Sequence, residues 1–159
     1  MKWEEAAAPA VEAGLRVAYL RTGIVQSTEG GQLKKQLLPF KLGVGGRIGD
    51  GQQYVSWLTL ADEVAAIRFL LDHDVAGPVN LTAPNPARNI EYTKALGTVL
   101  GRPTIFPVPT FALKLILGGE AAEALALSSQ RVVPAVLGDA GFEFAHPDIE
   151  AGLRAVLGK

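Results

Sequence analysis

The run Arg16-Val17-Ala18-Tyr19-Leu20-Arg21-Thr22-Gly23-Ile24-Val25 constrains this chain most. It is short, almost continuously apolar, rich in β-branched residues and bounded by glycine, the pattern of a strand covered on both faces. Strands of that kind belong to parallel sheets, whose neighbours are joined through helical crossovers. The downstream sequence supplies such pieces. Residues 53–60 alternate like a strand, and 62–71 follow a helical period with Val64, Ile67, Leu70 and Leu71 on one face. Residues 78–82 are a second buried-strand candidate, and 104–108, hemmed in by Pro103, Pro107 and Pro109, suit a sheet edge. An α/β fold follows. Strands are few and the first is already of the doubly covered type, so the chain is expected to begin in the middle of a fold.

Between these strands the helix signals are local. Residues 3–14 are alanine-rich, interrupted by Pro9, with Gly14 placed as a stop. Residues 32–40 read as a short amphipathic helix ended by Pro39, and 41–51, with five glycines, as a loop. Asn85-Pro86 opens a turn before a helix over 90–100 closed by Gly101. A helix over 110–129 broken at Gly118-Gly119, an extended link over 131–134 and a last helix over 146–157, with Pro147 near its first turn, complete the pattern. Neither repeats nor a domain linker interrupt it.

Composition excludes several functions. Fifteen basic residues against sixteen acidic ones give a formal charge of −1, so no global field points to nucleic acid. Cysteine is absent, which removes disulfides, thiolate metal sites and cysteine nucleophiles, and suits the cytoplasm. Two histidines, His73 and His146, leave little for a metal site. The start has no apolar signal segment, and no apolar run approaches the roughly 18–20 residues that span a bilayer.

Several linked motifs then occur in one order. They are Leu20-Arg21-Thr22-Gly23-Ile24-Val25, Gly43-Val44-Gly45-Gly46-Arg47-Ile48-Gly49-Asp50-Gly51-Gln52-Gln53 and Ser56-Trp57-Leu58-Thr59-Leu60-Ala61-Asp62. Gly77-Pro78-Val79-Asn80-Leu81-Thr82-Ala83-Pro84, Leu100-Gly101-Arg102-Pro103, Ser129-Gln130-Arg131-Val132-Val133-Pro134 and Gly141-Phe142-Glu143-Phe144-Ala145-His146-Pro147 follow. Together they resemble the second half of extended short-chain dehydrogenases/reductases, more narrowly the atypical YfcH-like epimerase family, over essentially the whole chain. The resemblance implies the C-terminal, substrate-side part of an extended Rossmann-type fold without its N-terminal dinucleotide-binding sheet. Residues 1–75 would end the Rossmann-type core and carry the substrate loop, and 76–159 would form a C-terminal α/β subdomain.

It also implies NADP or NAD in the complete protein and none for this chain alone. No G-x-G-x-x-G occurs; Gly43-Val44-Gly45-Gly46-Arg47-Ile48 fails at its sixth position and follows a helix pattern. The wider superfamily uses a Tyr with a Lys four residues later for proton and hydride chemistry. Tyr19, Tyr54 and Tyr92 have no Lys at that spacing, so no catalytic residue is assigned here. The place of an Arg that grips a diphosphate in sugar-nucleotide epimerases falls on Val55, and that of an Asn on Ile24. The implied activity is a nucleotide-sugar epimerase or reductase, an isomerase or hydride-transfer chemistry. The alternative is a non-catalytic binding or interaction module, since some relatives carry a cell-division-inhibitor label.

The candidate sites follow. Arg21, Thr22 and Gly23 lie at the carboxyl end of a parallel strand, where ligands of open α/β sheets collect, and are assigned to cofactor contact. The structural alternative is an ion pair at Arg21 and a turn at Gly23. Arg47, in the acid-free stretch with Lys34, Lys35 and Lys41, is assigned to substrate, with Gln53 and Trp57. A tryptophan on a strand is as well explained by the core. Asp62 should cap its helix, Asn80 should satisfy neighbouring backbone, and Asp72-His73-Asp74 lacks the ligands for a metal. Partners expected are a small-molecule substrate such as a sugar nucleotide, an N-terminal Rossmann half, and a second copy through an open sheet edge.

Overall fold

A computed structural model of the chain describes residues 2–108 and 129–159. Two short helices open it, α1 (Lys2–Glu5) and α2 (Ala8–Glu12). Pro9 sits in the first turn of α2, where a missing N–H costs nothing, and Gly14 ends the segment at φ 78°.

The expected first strand is there but divided, as β1 (Ala18–Thr22) and β2 (Ile24–Gln26). Gly23 divides them because it is the point of closest approach. A Cβ there would lie 2.6 Å from the Ser56 carbonyl oxygen and 2.8 Å from Thr82 Cγ2. Below this point β1 pairs in parallel with β5 (Gly77–Leu81), in the register Leu20 to Val79 and Thr22 to Leu81. Above it β2 pairs in parallel with β4 (Trp57–Thr59), in the register Ile24 to Trp57. Gly23 N–H donates to the Leu81 carbonyl at 2.9 Å and Ile24 N–H to that of Ser56 at 2.8 Å, so the chain changes partner within one residue.

The sheet's doubly covered strand is β4 rather than β1. All three β4 residues are buried, while β1 is half-buried and exposed at Arg21 and Thr22. Alternation explains β4: successive side chains point to opposite faces. Trp57 enters one core with Leu33, Phe40, Tyr92, Leu96 and Leu153. Leu58 enters the other with Ala66, Leu70, Val79, Leu81 and Leu137.

Helix α3 (Gly31–Lys41) runs past Pro39, which was expected to end it. Pro39 lies in the last turn, and its own carbonyl accepts the N–H groups of Val44 and Gly45 at 3.0 Å each, so the ring interrupts little. Helix α4 (Leu60–Asp72) is the crossover from β4 to β5. Its period is as expected but its phase differs. Asp62, Ala66 and Leu70 are buried, whereas Val64 and Leu71 are 50% and 71% exposed.

An antiparallel ribbon of β3 (Tyr54–Val55) and β6 (Ala87–Arg88) precedes α5 (Asn89–Leu100), which Gly101 closes at φ 64°. Residues 104–108 do not form the expected strand. Pro103 and Pro107 remove donors, Ile105 and Phe106 are exposed, and only Val108 pairs, as a bridge to Ile48. The helix expected over 110–129 lies outside the described residues apart from Ser129, which is not helical. After an extended link come α6 (Ala135–Asp139) and α7 (Ile149–Leu157). The last helix starts three residues later than residue 146, behind Asp148 at its N-cap position.

Candidate functional site

The carboxyl ends of β1 and β5, the ribbon and the glycine loop meet along one ridge, and Ser56 is its hinge. The Ser56 carbonyl abuts Gly23 and accepts the Ile24 N–H. Its hydroxyl donates to the Gln130 carbonyl at 2.6 Å and accepts the Val132 N–H at 3.0 Å. Tyr54 N–H donates to Ser129 Oγ at 3.0 Å, and Asn80 Nδ2 donates to the Val133 carbonyl at 3.2 Å. Residues 129–133 are therefore a strap, tied through hydrogen bonds to β3, to Ser56 just before β4, and to β5. Asn80 does satisfy neighbouring backbone, as its position suggested.

At one end of the ridge stand Arg21, Thr22 and Gly23. Arg21 forms a two-point ion pair with Glu4, Nε to Oε1 at 2.9 Å and Nη2 to Oε2 at 3.3 Å. The hydrogen bond from Arg21 holds the Glu4 carboxyl below the usual carboxylate range. Thr22 Oγ1 donates to Glu63 Oε1 at 3.0 Å. Burial raises the Glu63 carboxyl above its usual range, and the Thr22 hydrogen bond opposes that shift. Of the three residues, Thr22 alone presents an exposed side chain at the strand ends that is not committed to an ion pair.

At the other end lies the glycine loop. Gln53 Nε2 donates to the Ile48 carbonyl at 3.1 Å, and Ile48 N–H donates to Asn89 Oδ1 at 2.8 Å, which pins the loop against the start of α5. Gln53 thus acts as a staple of the loop. Arg47 is exposed beside it, and its backbone carbonyl accepts the Val108 N–H at 2.8 Å. Trp57 is 0% exposed, donates its indole N–H to the Asn85 carbonyl at 3.1 Å and packs on Gly152, so it supports the ridge from beneath.

Three ridge residues were not singled out from the sequence: Tyr54, Arg88 and Arg131. Cross-strand register places Tyr54 opposite Arg88, and the strap brings in Arg131. Their guanidinium carbons lie 5.5 Å and 5.9 Å from the Tyr54 ring centroid. Arg88 also donates to Gln52 Oε1. Residues 53–60 alternate like a strand, but nothing local announced the two cationic neighbours of Tyr54.

Asp62 departs from its expected role. Thr59 caps α4, its hydroxyl oxygen accepting the Asp62 N–H at 3.1 Å. The Asp62 carboxylate instead accepts the N–H groups of Ala145 at 2.8 Å and His146 at 3.1 Å. Among the described residues no three His, Asp or Glu side chains gather as metal ligands.

An epimerase family protein of Mycobacterium leprae is 45% identical over 152 residues, covering 95% of this chain and 49% of its own length. The chain is similar to this epimerase family over nearly its whole length. It spans about half the length of the curated relatives it matches. Residues 108–156 match a family described as a domain of unknown function (DUF1731), found in the C-terminal region of such epimerase family proteins. The crystal structure of the human epimerase family protein SDR39U1 (isoform 2) with NADPH superposes with a TM-score of 0.83 at 31% identity, over 89% of this chain and 48% of that one. That of a nucleoside-diphosphate sugar epimerase from Corynebacterium glutamicum gives a TM-score of 0.73 at 38% identity, over 98% of this chain and 29% of that one. The fold is that of Rossmann-type short-chain dehydrogenase/reductase epimerases, as expected, and the chain matches about half of such proteins. No helix among the described residues is long and apolar enough to cross a membrane.

Proposed function

We propose that this chain is the substrate-side half of an NAD(P)-dependent nucleotide-sugar epimerase- or reductase-like protein and does not catalyse alone. The observation that carries this is the ridge itself. Exposed polar and cationic side chains from the ribbon, the strap and the ends of parallel strands converge where an open α/β sheet receives its ligand. The likeness to half of an NADPH-bearing protein supports the assignment. Thr22 and the turn at Gly23 face the nicotinamide end of the cofactor, with Arg21 held in place by Glu4. Arg47 lies on the substrate side, while Gln53 and Trp57 shape that side from behind. The bound cofactor supplies hydride exchange; this chain's residues orient the substrate against it. A Rossmann-type half carrying the dinucleotide loop is the proposed partner, a second copy of the chain is a further one, and the cytoplasm is the proposed setting.

The test is a titration of NADPH and NADH, read by tryptophan fluorescence, into this chain and into a version extended to the length of its relatives. Binding by the longer protein alone is expected. Tight binding by the short chain would move the cofactor site here and overturn the division of labour.

A further inference from the structure

Glu63 stands at the strand ends with no task in that assignment. It lies in the first turn of α4, and its Oε1 accepts the Thr22 hydroxyl at 3.0 Å. Its other oxygen, Oε2, is buried and has no hydrogen-bond partner among the described residues. Native folds leave few buried polar atoms unpaired, and each calls for an explanation. A carboxylate here would hold negative charge on an oxygen that nothing solvates, whereas a carboxylic acid leaves only a carbonyl there. Burial accordingly raises the Glu63 carboxyl above its ordinary range, opposed by the Thr22 hydrogen bond.

The charges around Glu63 are engaged elsewhere. On α4, the Asp62 carboxylate accepts the Ala145 and His146 N–H groups, and the His146 ring lies 3.3 Å from its Oδ2. One turn further on, Ala66 and Ile67 carry no charge. On β1, Arg21 points to the face opposite Thr22 and is paired with Glu4. On β5 the register partner of Thr22 is Leu81. Burial and Thr22 are therefore what set the state of Glu63.

That state fixes what Thr22 can offer. A hydroxyl has one proton to donate and lone pairs with which to accept. While Glu63 is ionised, the Thr22 proton is committed to Oε1, and the exposed hydroxyl can only accept from outside. When Oε1 carries a proton, Glu63 donates it to Thr22 Oγ1, and the Thr22 O–H is released to face outward. One pair of oxygens serves both states, so the backbone need not move.

We propose that Glu63 is a positioning residue that turns the Thr22 hydroxyl into an outward hydrogen-bond donor, selecting a carbonyl oxygen at the nicotinamide end of the cofactor. The proposal deepens the substrate-side assignment and rests on it for the identity of the ligand that Thr22 meets. Ionisation of Glu63 reverses the preference towards a ligand donor. A carboxamide can rotate to follow that reversal. An acetyl group, which only accepts, cannot.

The test follows glutamate carboxyl and threonine side-chain carbons by NMR in the labelled chain, between about pH 4 and pH 9, with Glu63 assigned through Glu63→Gln. Glu63 and Thr22 should titrate with one midpoint, above that of the exposed glutamates. Thr22→Val should raise the Glu63 midpoint further, because the ionised form loses its donor, while Thr22→Ser should restore it. NADPH and its 3-acetylpyridine analogue are then titrated into the protein extended to the length of its relatives, read by tryptophan fluorescence. Affinity for the analogue should fall about tenfold as pH rises through the Glu63 midpoint, and that for NADPH much less. In Glu63→Gln, neutral at every pH, both should stay level. A Glu63 midpoint unmoved by Thr22→Val, or a pH dependence for the analogue that survives in Glu63→Gln, overturns the proposal. If the extended protein binds neither cofactor, the substrate-side assignment falls and the carboxyl titration decides alone: a midpoint shared by Thr22 and Glu63 keeps the switch, and separate midpoints remove it.

Discussion

Replacing Asp62 by Ala should be among the costliest single changes in this chain. The carboxylate is 2% exposed and accepts the N–H groups of Ala145 and His146 and the hydroxyl of Thr59, at 2.8, 3.1 and 3.0 Å. The Thr59 hydroxyl can turn towards His146 Nδ1, 3.2 Å away, but the two backbone donors have no such freedom. Each buried donor left without an acceptor costs about 1–3 kcal/mol, and the lost bonds were charge-assisted. A loss of about 3–5 kcal/mol is expected, a large part of the roughly 5–15 kcal/mol that a domain has. In urea unfolding followed by circular dichroism this moves the midpoint down by roughly 2 M at ordinary slopes. Amide exchange at Ala145 and His146 should accelerate far more than at Leu96, in the other core. Asp62→Asn, which keeps one acceptor oxygen, should fall between. A loss under about 1 kcal/mol with Ala145 and His146 still protected would refute the tether between α4 and the 145–146 turn.

Burial pushes the Tyr92 hydroxyl well above its ordinary value, so it stays neutral in the fold while an unfolded tyrosine ionises near pH 10. The unfolded state then binds fewer protons, so stability should fall as pH rises through 10, and Tyr92→Phe should flatten that fall; urea midpoints between pH 9 and 11 check it. Glu63 has a raised carboxyl for the same reason, which makes its ionisation in the fold unfavourable. Glu63→Gln retains an acceptor for Thr22 and should be slightly more stable at pH 7, with the difference vanishing below about pH 4, as thermal unfolding across pH would read. Gly23→Ala puts a methyl 2.6 Å from the Ser56 carbonyl oxygen, and at a negative φ the cost is purely steric. A loss of about 1–3 kcal/mol is expected, against no loss for Gly138→Ala, where a Cβ meets nothing within 4 Å.

What the sequence made legible was whatever short-range chemistry decides. Gly14 and Gly101 end their helices at positive φ, and the glycines of residues 41–51 mark a loop. Thr59 and Asp62 mark the start of α4, though the cap belongs to Thr59. What it hid depends on residues distant in the chain. Asp62 turns to a backbone 83 and 84 positions away, and Arg131 reaches Tyr54 through a strap whose ties span 74 to 76 positions. Periodicity fixed the spacing on α4 but not its phase, because Val64 and Leu71 carry the apolar pattern as well as Ala66 and Leu70. The prolines at 103 and 107 suggested an edge strand, but an edge strand still needs donors, and one bridge is what remains.

The phase of α4 bears on how the chain is used. One face of the helix packs Ala66 and Leu70 over the sheet, while Leu60, Val64 and Leu71 remain exposed at four- and seven-residue spacings along another. Beneath it, β1 pairs with β5 on one side alone among the described residues. A helix apolar on two faces and a parallel strand with one neighbour are ordinary inside a larger doubly wound sheet and costly on a surface. The relatives, twice as long as this chain, offer the material to cover both. The ridge of Tyr54, Arg88 and Arg131 has the opposite character: polar, cationic and tied by the 129–133 strap. Apolar surface that calls for cover and polar surface that calls for a ligand are thus carried on different elements, and that separation supports the proposal that this half binds substrate against a cofactor held by another.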